Sequence, residues 1–186
     1  MRTLTEILAS HPNCDKGGNG PNALHSYDVV YEKLLEHKRL QVTHVLEVGV
    51  RYGHSLKVWA EYFPNARIFG IDNASECPLW VSDDPRIEVF EADTTKPETV
   101  AAVMNRFSFG SFDFIVDDGL HRSFAQAVTY GTLKPYLAKD GTYVIEDLED
   151  WTEAVKLQQV IGGTLADLRE MKRRHDDVLL YFTPDE

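Results

Sequence analysis

Apolar residues near the start of the chain recur with the period of an α-helix. They fall at i, i+3 and i+4 over residues 3–10 and at i, i+3, i+4, i+7 and i+8 over residues 27–38, which predicts two amphipathic helices. Thr3 and Glu6 have the spacing of a capping box at the first of them. The stretch between the helices, residues 14–22, is rich in Gly, Asn and Pro and predicts a loop.

After residue 42 the pattern changes to short apolar runs that alternate with helical segments. The predicted strands are residues 43–49, 67–71, 87–90, 112–116, 142–145 and 178–182. The predicted helices are residues 56–63, 96–106, 124–137 and 164–175. Ser123 with Gln126 and Thr164 with Asp167 are expected to cap the last two helices. The alternation predicts an α/β fold: a doubly wound, mostly parallel sheet with N-terminal helices and a short C-terminal end.

The length of the chain fits one domain with one core. With 186 residues, 43% of them hydrophobic, it is long enough to bury a substantial interior. We therefore predict a single domain over residues 1–186, in which residues 1–41 form an N-terminal helical segment and residues 42–186 form the α/β core.

Charge and cysteine usage narrow the class of partner. The net charge is −11, from 19 basic and 30 acidic residues, which argues against a nucleic-acid partner and favours a small neutral or cationic substrate. No apolar run approaches the length of a membrane span, and the N-terminus lacks the apolar core of a secretory signal. The two cysteines, Cys14 and Cys77, are interpreted as reduced thiols of a cytoplasmic protein.

The loop after the first predicted strand is the expected cofactor seat of such a sheet. A dinucleotide fingerprint would need small residues at 49, 51 and 54, but Gly49 is followed by Arg51 and His54. Two features suit a smaller, cationic cofactor: Gly49 and Gly53 allow the backbone to approach it closely, and Glu47 brings negative charge. The loop therefore argues against a dehydrogenase.

Carboxylates follow several of the predicted strands. Asp72 ends the second strand, where an acid accepts hydrogen bonds from both hydroxyls of a ribose. Two further strand ends carry four residues that should converge at one edge of the sheet: Asp118, His121, Glu146 and Asp147. Three carboxylates without cysteine form a hard oxygen ligand set, which suits Mg²⁺, or Mn²⁺ or Ca²⁺, better than zinc. Acids at strand ends also cap loops and helices, so each acid alone is a weak signal.

These segments resemble motif I and the following acidic strand of the class I S-adenosylmethionine-dependent methyltransferases, whose Rossmann-like fold matches the predicted sheet. The family pattern is acid-x-Gly-x-Gly-x-Gly, and Arg51 replaces its middle glycine. Over roughly residues 11–150 the chain is also similar to a narrower family, the metal-dependent sugar O-methyltransferases of macrolide biosynthesis, with rhamnosyl methyltransferases and cephalosporin hydroxylase-like proteins. The matching segments are CDKG at 14–17, HSY at 25–27, LEVG at 46–49, VDDGLH at 116–121 and VIEDL at 144–148.

The resemblance implies roles for individual residues. It assigns the metal to Asp118, Glu146 and Asp147, and the general base to His121. The cofactor would be bound by Glu47, Gly49, Gly53, Ser55, Asp72, Asp93 and Asp117. From the residues alone, Asp93 could equally cap the helix near Lys96, and Asp117 could brace its loop.

Three other features of the chain bear on this resemblance. Asp15, Lys16, His25 and Tyr27 would belong to an N-terminal lid over the cofactor. Leu120 departs from the small polar residue more usual in the family. The short C-terminal region is expected to lack the antiparallel hairpin that closes such sheets.

The resulting hypothesis is an S-adenosylmethionine- and Mg²⁺-dependent (or Mn²⁺-dependent) O-methyltransferase that acts on a hydroxyl of a sugar or glycosylated small molecule. The metal would stabilise the developing alkoxide, and His121, neutral near pH 7 at an unperturbed pKa of about 6.5, would remove the proton. A catechol-type O-methyltransferase and a non-methylating, oxygenase-associated protein that binds the cofactor are the alternatives. The acceptor and the oligomeric state stay open.

Overall fold

A computed structural model describes residues 1–18, 23–73 and 83–184. Its centre is a seven-stranded sheet in the order β3-β2-β1-β4-β5-β7-β6. The strands are β1 His44–Val48, β2 Arg67–Asp72, β3 Ile87–Glu91, β4 Phe112–Asp117, β5 Leu137–Ile145, β6 Thr164–Asp167 and β7 Val178–Phe182. β1 to β5 pair in parallel, while β7 is antiparallel to both of its neighbours. The prediction of a doubly wound, mostly parallel sheet is confirmed.

Helices cover both faces of the sheet. They are α1 Leu4–Ser10, α2 Asp28–Leu35, α3 His54–Tyr62, α4 Pro97–Met104, α5 Ser123–Leu133, α6 Trp151–Ile161 and α7 Arg169–Lys172. The apolar faces of α1, α2 and α3 form one buried cluster against the sheet, and those of α4, α5 and α6 form a second cluster on the opposite face. Because both faces are covered, the central strands are mostly apolar, with buried carboxylates at Glu47 of β1 and Asp117 of β4 near their carboxyl ends. Trp59, interpreted as a core residue, is fully buried.

The ends of two helices test the predicted caps. Thr3 Oγ1 accepts from the backbone N–H of Glu6 at 3.2 Å, and Glu6 accepts from that of Thr3 at 2.8 Å, so the capping box is confirmed. The cap predicted at Ser123 is wrong, because Arg122 is the N-cap residue of α5 and Ser123 lies inside the helix. The Ser123 hydroxyl instead donates to Glu153 of α6 at 3.3 Å.

The helix predicted over residues 164–175 is confirmed only for Arg169–Lys172, which form α7, and the rest of that prediction is wrong. Residues 164–167 form β6, which pairs with β7 from Thr164↔Tyr181 to Asp167↔Val178, so Thr164 and Asp167 are strand residues rather than a cap. Gly162 and Gly163 have φ of 82° and 91°, and these left-handed conformations end α6 and turn the chain into the strand. The β6–β7 hairpin that the sequence was expected to lack is therefore present.

The helix that precedes this hairpin, α6, went unpredicted. Asp150 caps it by accepting from the backbone N–H of Glu153 at 2.9 Å. Ala154 and Leu157 are its fully buried residues, and Trp151 and Ile161 pack against the same core, so α6 does carry an apolar stripe, which the sequence interpretation left unassigned.

The hairpin also holds the N-terminal segment. Lys172 Nζ donates to the backbone carbonyls of Gly18, Ala23 and His25. Residues 19–22, the rest of the predicted loop 14–22, lie outside the described residues. Cys14 is a buried free thiol, and Cys77 also lies outside the described residues. Within the described ranges no helix is both long and apolar enough to cross a membrane.

Candidate functional site

A cavity of about 510 Å³ opens at the carboxyl ends of the parallel strands, as expected for a doubly wound sheet. Seven of the predicted site residues line it: Gly49, Ser55, Asp72, Asp93, Asp118, His121 and Asp147. The other four, Glu47, Gly53, Asp117 and Glu146, are not among its lining residues. The structure thus brings most of the predicted residues to one opening and places the remainder behind its wall.

The loop between β1 and α3 forms one side of the cavity. Its backbone is left-handed at alternate residues, with φ of 84° at Gly49, 47° at Arg51 and 70° at Gly53. Asp72 Oδ2 accepts from the N–H groups of Val50 and Arg51, both at 2.8 Å. The acid at the end of β2 therefore fixes the loop as well as lining the cavity. The alternation also explains the acid-x-Gly-x-Gly-x-Gly pattern, because each glycine position needs a positive φ.

Arg51 occupies the one left-handed position of this loop without a glycine, which gives a test of backbone strain. An L-residue pays about 1–2 kcal/mol in this conformation, more than the ~0.5–1 kcal/mol that glycine usually costs through entropy. We therefore expect Arg51→Gly to unfold at a higher urea concentration than Arg51→Ala. At Tyr52, whose φ is not positive, the order of the Gly and Ala variants should reverse. The same order at both positions would contradict this interpretation.

Gly49 also packs closely against another loop. A Cβ atom at this position would lie 1.9 Å from the carbonyl oxygen of Asp118. The absence of a side chain therefore lets the end of β1 meet the chain that leaves β4. The sequence interpretation placed a cofactor against this glycine, but its tightest neighbour in the structure is protein backbone.

Glu47, at the end of β1, is fully buried. It accepts from the Ser55 hydroxyl at 2.8 Å, and its other oxygen lies 3.3 Å from Lys16 Nζ. Burial raises the pKa of Glu47 to about 7, against the opposing effect of Lys16. Glu47 itself does not line the cavity. Its two partners, Ser55 and Lys16, do line the cavity and can contact a ligand there.

Asp93 and Asp117 both brace loops. Asp93 accepts from the Thr95 N–H at 3.0 Å and from the Thr95 hydroxyl at 2.6 Å, and it pairs with Lys96 at 2.9 Å. These hydrogen bonds lower its pKa to about 2. Asp117 is buried, which raises its pKa to about 7, and it accepts from the Gly119 N–H at 3.2 Å. Of the two, only Asp93 lines the cavity.

Asp118, His121 and Asp147 form the polar end of the cavity. One ligand atom from each lies within 4.8 Å of the others. His121 Nε2 is 3.1 Å from Asp118 Oδ1 and 3.6 Å from Asp147 Oδ2. Asp147 follows directly on Glu146 and has a φ of 50°, so the chain leaves the extended conformation there. The two carboxylates supply the oxygen donors that a hard divalent cation prefers, and the imidazole lies directly beside them.

The charge of His121 differs from the sequence expectation. The hydrogen bond to Asp118, together with the negative charge of Asp147, raises the pKa of His121 to about 9 against the effect of burial. The two carboxylates therefore favour the protonated imidazole near pH 7, where the sequence interpretation expected a neutral ring. A cation on the two carboxylates would oppose this effect and lower the pKa of His121 again.

Glu146, predicted as the third metal ligand, lies apart from this cluster. Its side chain is buried and accepts from Lys16 Nζ and from the Tyr31 hydroxyl. Lys16 Nζ also donates to Asp118 Oδ2 at 2.7 Å. An ammonium thus lies between two of the three predicted ligands.

Two further residues of the N-terminal segment contact Asp147. The Tyr27 hydroxyl donates to Asp147 Oδ1, and His25 Nε2 lies 3.4 Å from the same oxygen. His25 Nδ1 is 3.6 Å from the buried Asp177, which also accepts from the Ser26 N–H at 3.0 Å. Sequence reasoning grouped Lys16, His25 and Tyr27 only as parts of a lid, because a loop carries no period from which side-chain direction can be derived. Tyr31 was assigned only to the apolar face of a helix.

Comparison with known proteins was made by family models, by sequence and by structure. No family model matches the chain. An 8-demethyl-8-(2-methoxy-alpha-L-rhamnosyl)-tetracenomycin-C 3'-O-methyltransferase from Streptomyces olivaceus is 34% identical over 156 residues, which are 80% of this chain and 37% of that protein. A mycinamicin VI 2''-O-methyltransferase from Micromonospora griseorubida is 32% identical over 136 residues, which are 69% of this chain and 32% of that protein.

The structural comparison agrees with the sequence comparison. The MycE methyltransferase of mycinamycin biosynthesis, solved in complex with Mg, SAH and mycinamycin VI, superimposes with a TM-score of 0.66 at 30% identity over 78% of this chain and 37% of that one. The Methanococcus jannaschii fibrillarin pre-rRNA processing protein, at 16% identity and a TM-score of 0.60, shares the fold alone. The chain spans about a third of the length of the curated relatives it matches.

Proposed function

We propose that this chain, which belongs to the class I S-adenosylmethionine-dependent methyltransferases, transfers a methyl group to a hydroxyl of a sugar or a glycosylated small molecule with the help of Mg²⁺. One observation carries the proposal. A single cavity joins the strand-end loop held by Asp72 to the Asp118–His121–Asp147 cluster. A methyl donor and an activated hydroxyl can therefore meet inside it.

The half of the cavity beside β1 and β2 would take the cofactor, which supplies the methyl group on a sulfonium. Asp72 and Asp93 line this half with carboxylates and would accept hydrogen bonds from the ribose and the adenine. Gly49 and Ser55 supply its wall. The negative charge of the lining suits a ligand that carries an ammonium and a sulfonium.

The other half would take the acceptor. A divalent cation bound by Asp118, Asp147 and Glu146 would act there as a Lewis acid towards the acceptor oxygen. His121 projects into the same space with 43% of its side chain exposed, so it can reach a hydroxyl held there and remove its proton. The carboxylates of Asp118 and Asp147 then stabilise the imidazolium that forms.

Exposed apolar residues stand on both sides of His121 in the sequence. Leu120, which also lines the cavity, is 65% exposed and Phe124 is 81% exposed. Exposed apolar residues beside a polar site offer contact area to an acceptor that carries an apolar portion next to its sugar. They favour a glycosylated small molecule over a nucleotide-linked sugar, whose phosphates would face the acids of an already acidic protein.

The test is a methyl-transfer assay with purified protein, S-adenosylmethionine and MgCl₂ against two panels, glycosides and catechols. We expect S-adenosylhomocysteine and a singly methylated glycoside, and we expect EDTA to abolish both and added Mg²⁺ to restore them. Methylation of catechols alone would assign the protein to the catechol-type class. Calorimetry that shows no binding of S-adenosylhomocysteine would overturn methyl transfer altogether.

A further inference from the structure

Lys16 has an unusual position for a lysine. Its side chain is only 3% exposed, and its Nζ contacts three carboxylates: Glu47 at 3.3 Å, Asp118 at 2.7 Å, and Glu146. A nearby segment of the same chain holds its backbone, because the Tyr27 N–H donates to the Lys16 carbonyl at 3.0 Å. The ammonium is therefore part of the interior of the site rather than a surface charge above it.

The three carboxylates come from neighbouring strands of the sheet. The register pairs Val48 of β1 with Asp117 of β4, and Asp117 with Ile145 of β5. Glu47, Asp118 and Glu146 stand beside these paired positions, at the carboxyl ends of the three central strands. The Lys16 ammonium thus lies between the end of β1, beside the proposed cofactor site, and the ends of β4 and β5, which carry the candidate metal ligands.

A buried ammonium needs such partners. Burial alone lowers the pKa of Lys16, but Asp118, Glu146 and Glu47 together hold it well above the ordinary value, so the side chain stays charged. It neutralises acids that would otherwise repel one another at close range. At the same time it occupies oxygens of two residues that a divalent cation would use.

We propose that Lys16 is a built-in counter-cation of this carboxylate site, which a divalent cation must displace from Asp118 and Glu146 when it binds. Glu47 then keeps the ammonium paired. This role rests on the proposed function only in its choice of cation, and it does not require methyl transfer. Two consequences follow: Lys16 weakens the affinity of the site for the cation, and Glu47 strengthens that affinity because it accepts the displaced ammonium.

The experiment is isothermal titration of the protein with MgCl₂, without cofactor or acceptor. Because one positive charge beside the ion is removed, we expect Lys16→Met to bind Mg²⁺ about tenfold more tightly than the wild type. Its thermal midpoint without metal should be lower, and its rise on addition of Mg²⁺ should be larger. Lys38→Met is the matched control. Lys38 is a partly buried lysine whose Nζ donates to the Asp140 backbone carbonyl and to the Thr142 hydroxyl. Its replacement should leave the Mg²⁺ affinity unchanged.

Two further variants keep the test decisive. Glu47→Gln, which removes the second partner of the ammonium, should bind Mg²⁺ more weakly than the wild type. If Lys16→Met does not fold, the double variant Lys16→Met/Glu47→Gln removes one charge of each sign, and it should still bind more tightly than Glu47→Gln.

The role would be overturned if Lys16→Met bound Mg²⁺ no more tightly than the wild type, or if the double variant bound it no more tightly than Glu47→Gln, because Lys16 would then only hold the ligands in place. Absence of Mg²⁺ binding in every variant would overturn it as well. Methyl transfer to glycosides is measured in parallel. It shows whether the proposed function fails together with the role of Lys16 or stands without that role.

Discussion

Replacement of His121 with Ala is expected to lower kcat by about 10²–10⁴-fold, the usual contribution of a general base. The side chain faces the cavity, and the neighbouring carboxylates of Asp118 and Asp147 can stabilise its protonated form. Binding of S-adenosylhomocysteine should change little, because the residues proposed for the cofactor lie at the other end of the cavity. Steady-state kinetics with a glycoside, together with calorimetry, measure the two effects separately.

His37→Ala provides the control for this variant. His37 lies in the short 3-10 helix Glu36–Lys38, and the structure places it outside the cavity lining, so its removal should leave turnover intact. Turnover of His121→Ala within twofold of the wild type would contradict the role of His121 as the base.

The pH dependence gives an independent check on His121. Only the neutral imidazole accepts a proton, so kcat should rise with pH as His121 deprotonates. Without metal the folded-state pKa of about 9 exceeds the ordinary 6.5. His121 therefore stabilises the metal-free protein fully below pH 6.5, and this stabilisation is lost as the pH rises through 9. The pH dependence of unfolding in EDTA, compared between the wild type and His121→Ala, should show this loss only in the wild type.

The second large effect is expected at Gly49. Gly49→Ala places a Cβ 1.9 Å from the Asp118 carbonyl oxygen and forces an L-residue to a φ of 84°. Overpacking costs about 1–3 kcal/mol and the left-handed conformation about 1–2 kcal/mol, so we expect a loss of about 3 kcal/mol in the free energy of unfolding. Because the β4 loop must move, cavity ligands should also bind more weakly. Urea unfolding followed by circular dichroism measures the stability.

Gly131→Ala is the matched control for Gly49→Ala. Gly131 lies inside α5, and a Cβ there would meet no atom within 4 Å. Alanine should stabilise the protein at this position by about 0.5–1 kcal/mol, because glycine is a poor helix former. Equal stabilities of the Gly49 and Gly131 variants would show that the contact with Asp118 is unimportant.

The parallel strands could be predicted because each is a short apolar run, covered on both faces, that ends at a polar residue. The C-terminal third of the chain could not be predicted in this way. β6 lies at the edge of the sheet with intermediate burial from Thr164 to Ala166, so it has no clear alternation of buried and exposed residues, whereas the apolar stripe of α6 was left unassigned. The pairing of β6 with β7 is a tertiary contact, and tertiary contacts override local propensity.

At the site, the sequence predicted where the functional side chains lie, but not which of them contact one another. Strand ends in a parallel sheet meet at one edge, and that rule predicted that Asp118, His121, Glu146 and Asp147 would converge. Three of them lie together, whereas the Glu146 side chain lies apart and pairs with Lys16. The rule does not say which carboxylates share a partner. Lys16 is 102 residues away from Asp118 and 130 from Glu146, and only the folded chain reveals that its ammonium lies between them.

The contact of Lys172 with three backbone carbonyls of the N-terminal segment has a consequence for the order in which the protein assembles. A chain emerging from the ribosome folds from its N-terminal end. Here, however, residues 16–18 and 23–27 are held in part by Lys172 and Asp177, which follow them by about 150 positions in the chain. We expect a nascent chain halted before the β6–β7 hairpin to form the central parallel strands but not the carboxylate cluster. Docking of the hairpin is therefore expected to complete the carboxylate cluster in one step.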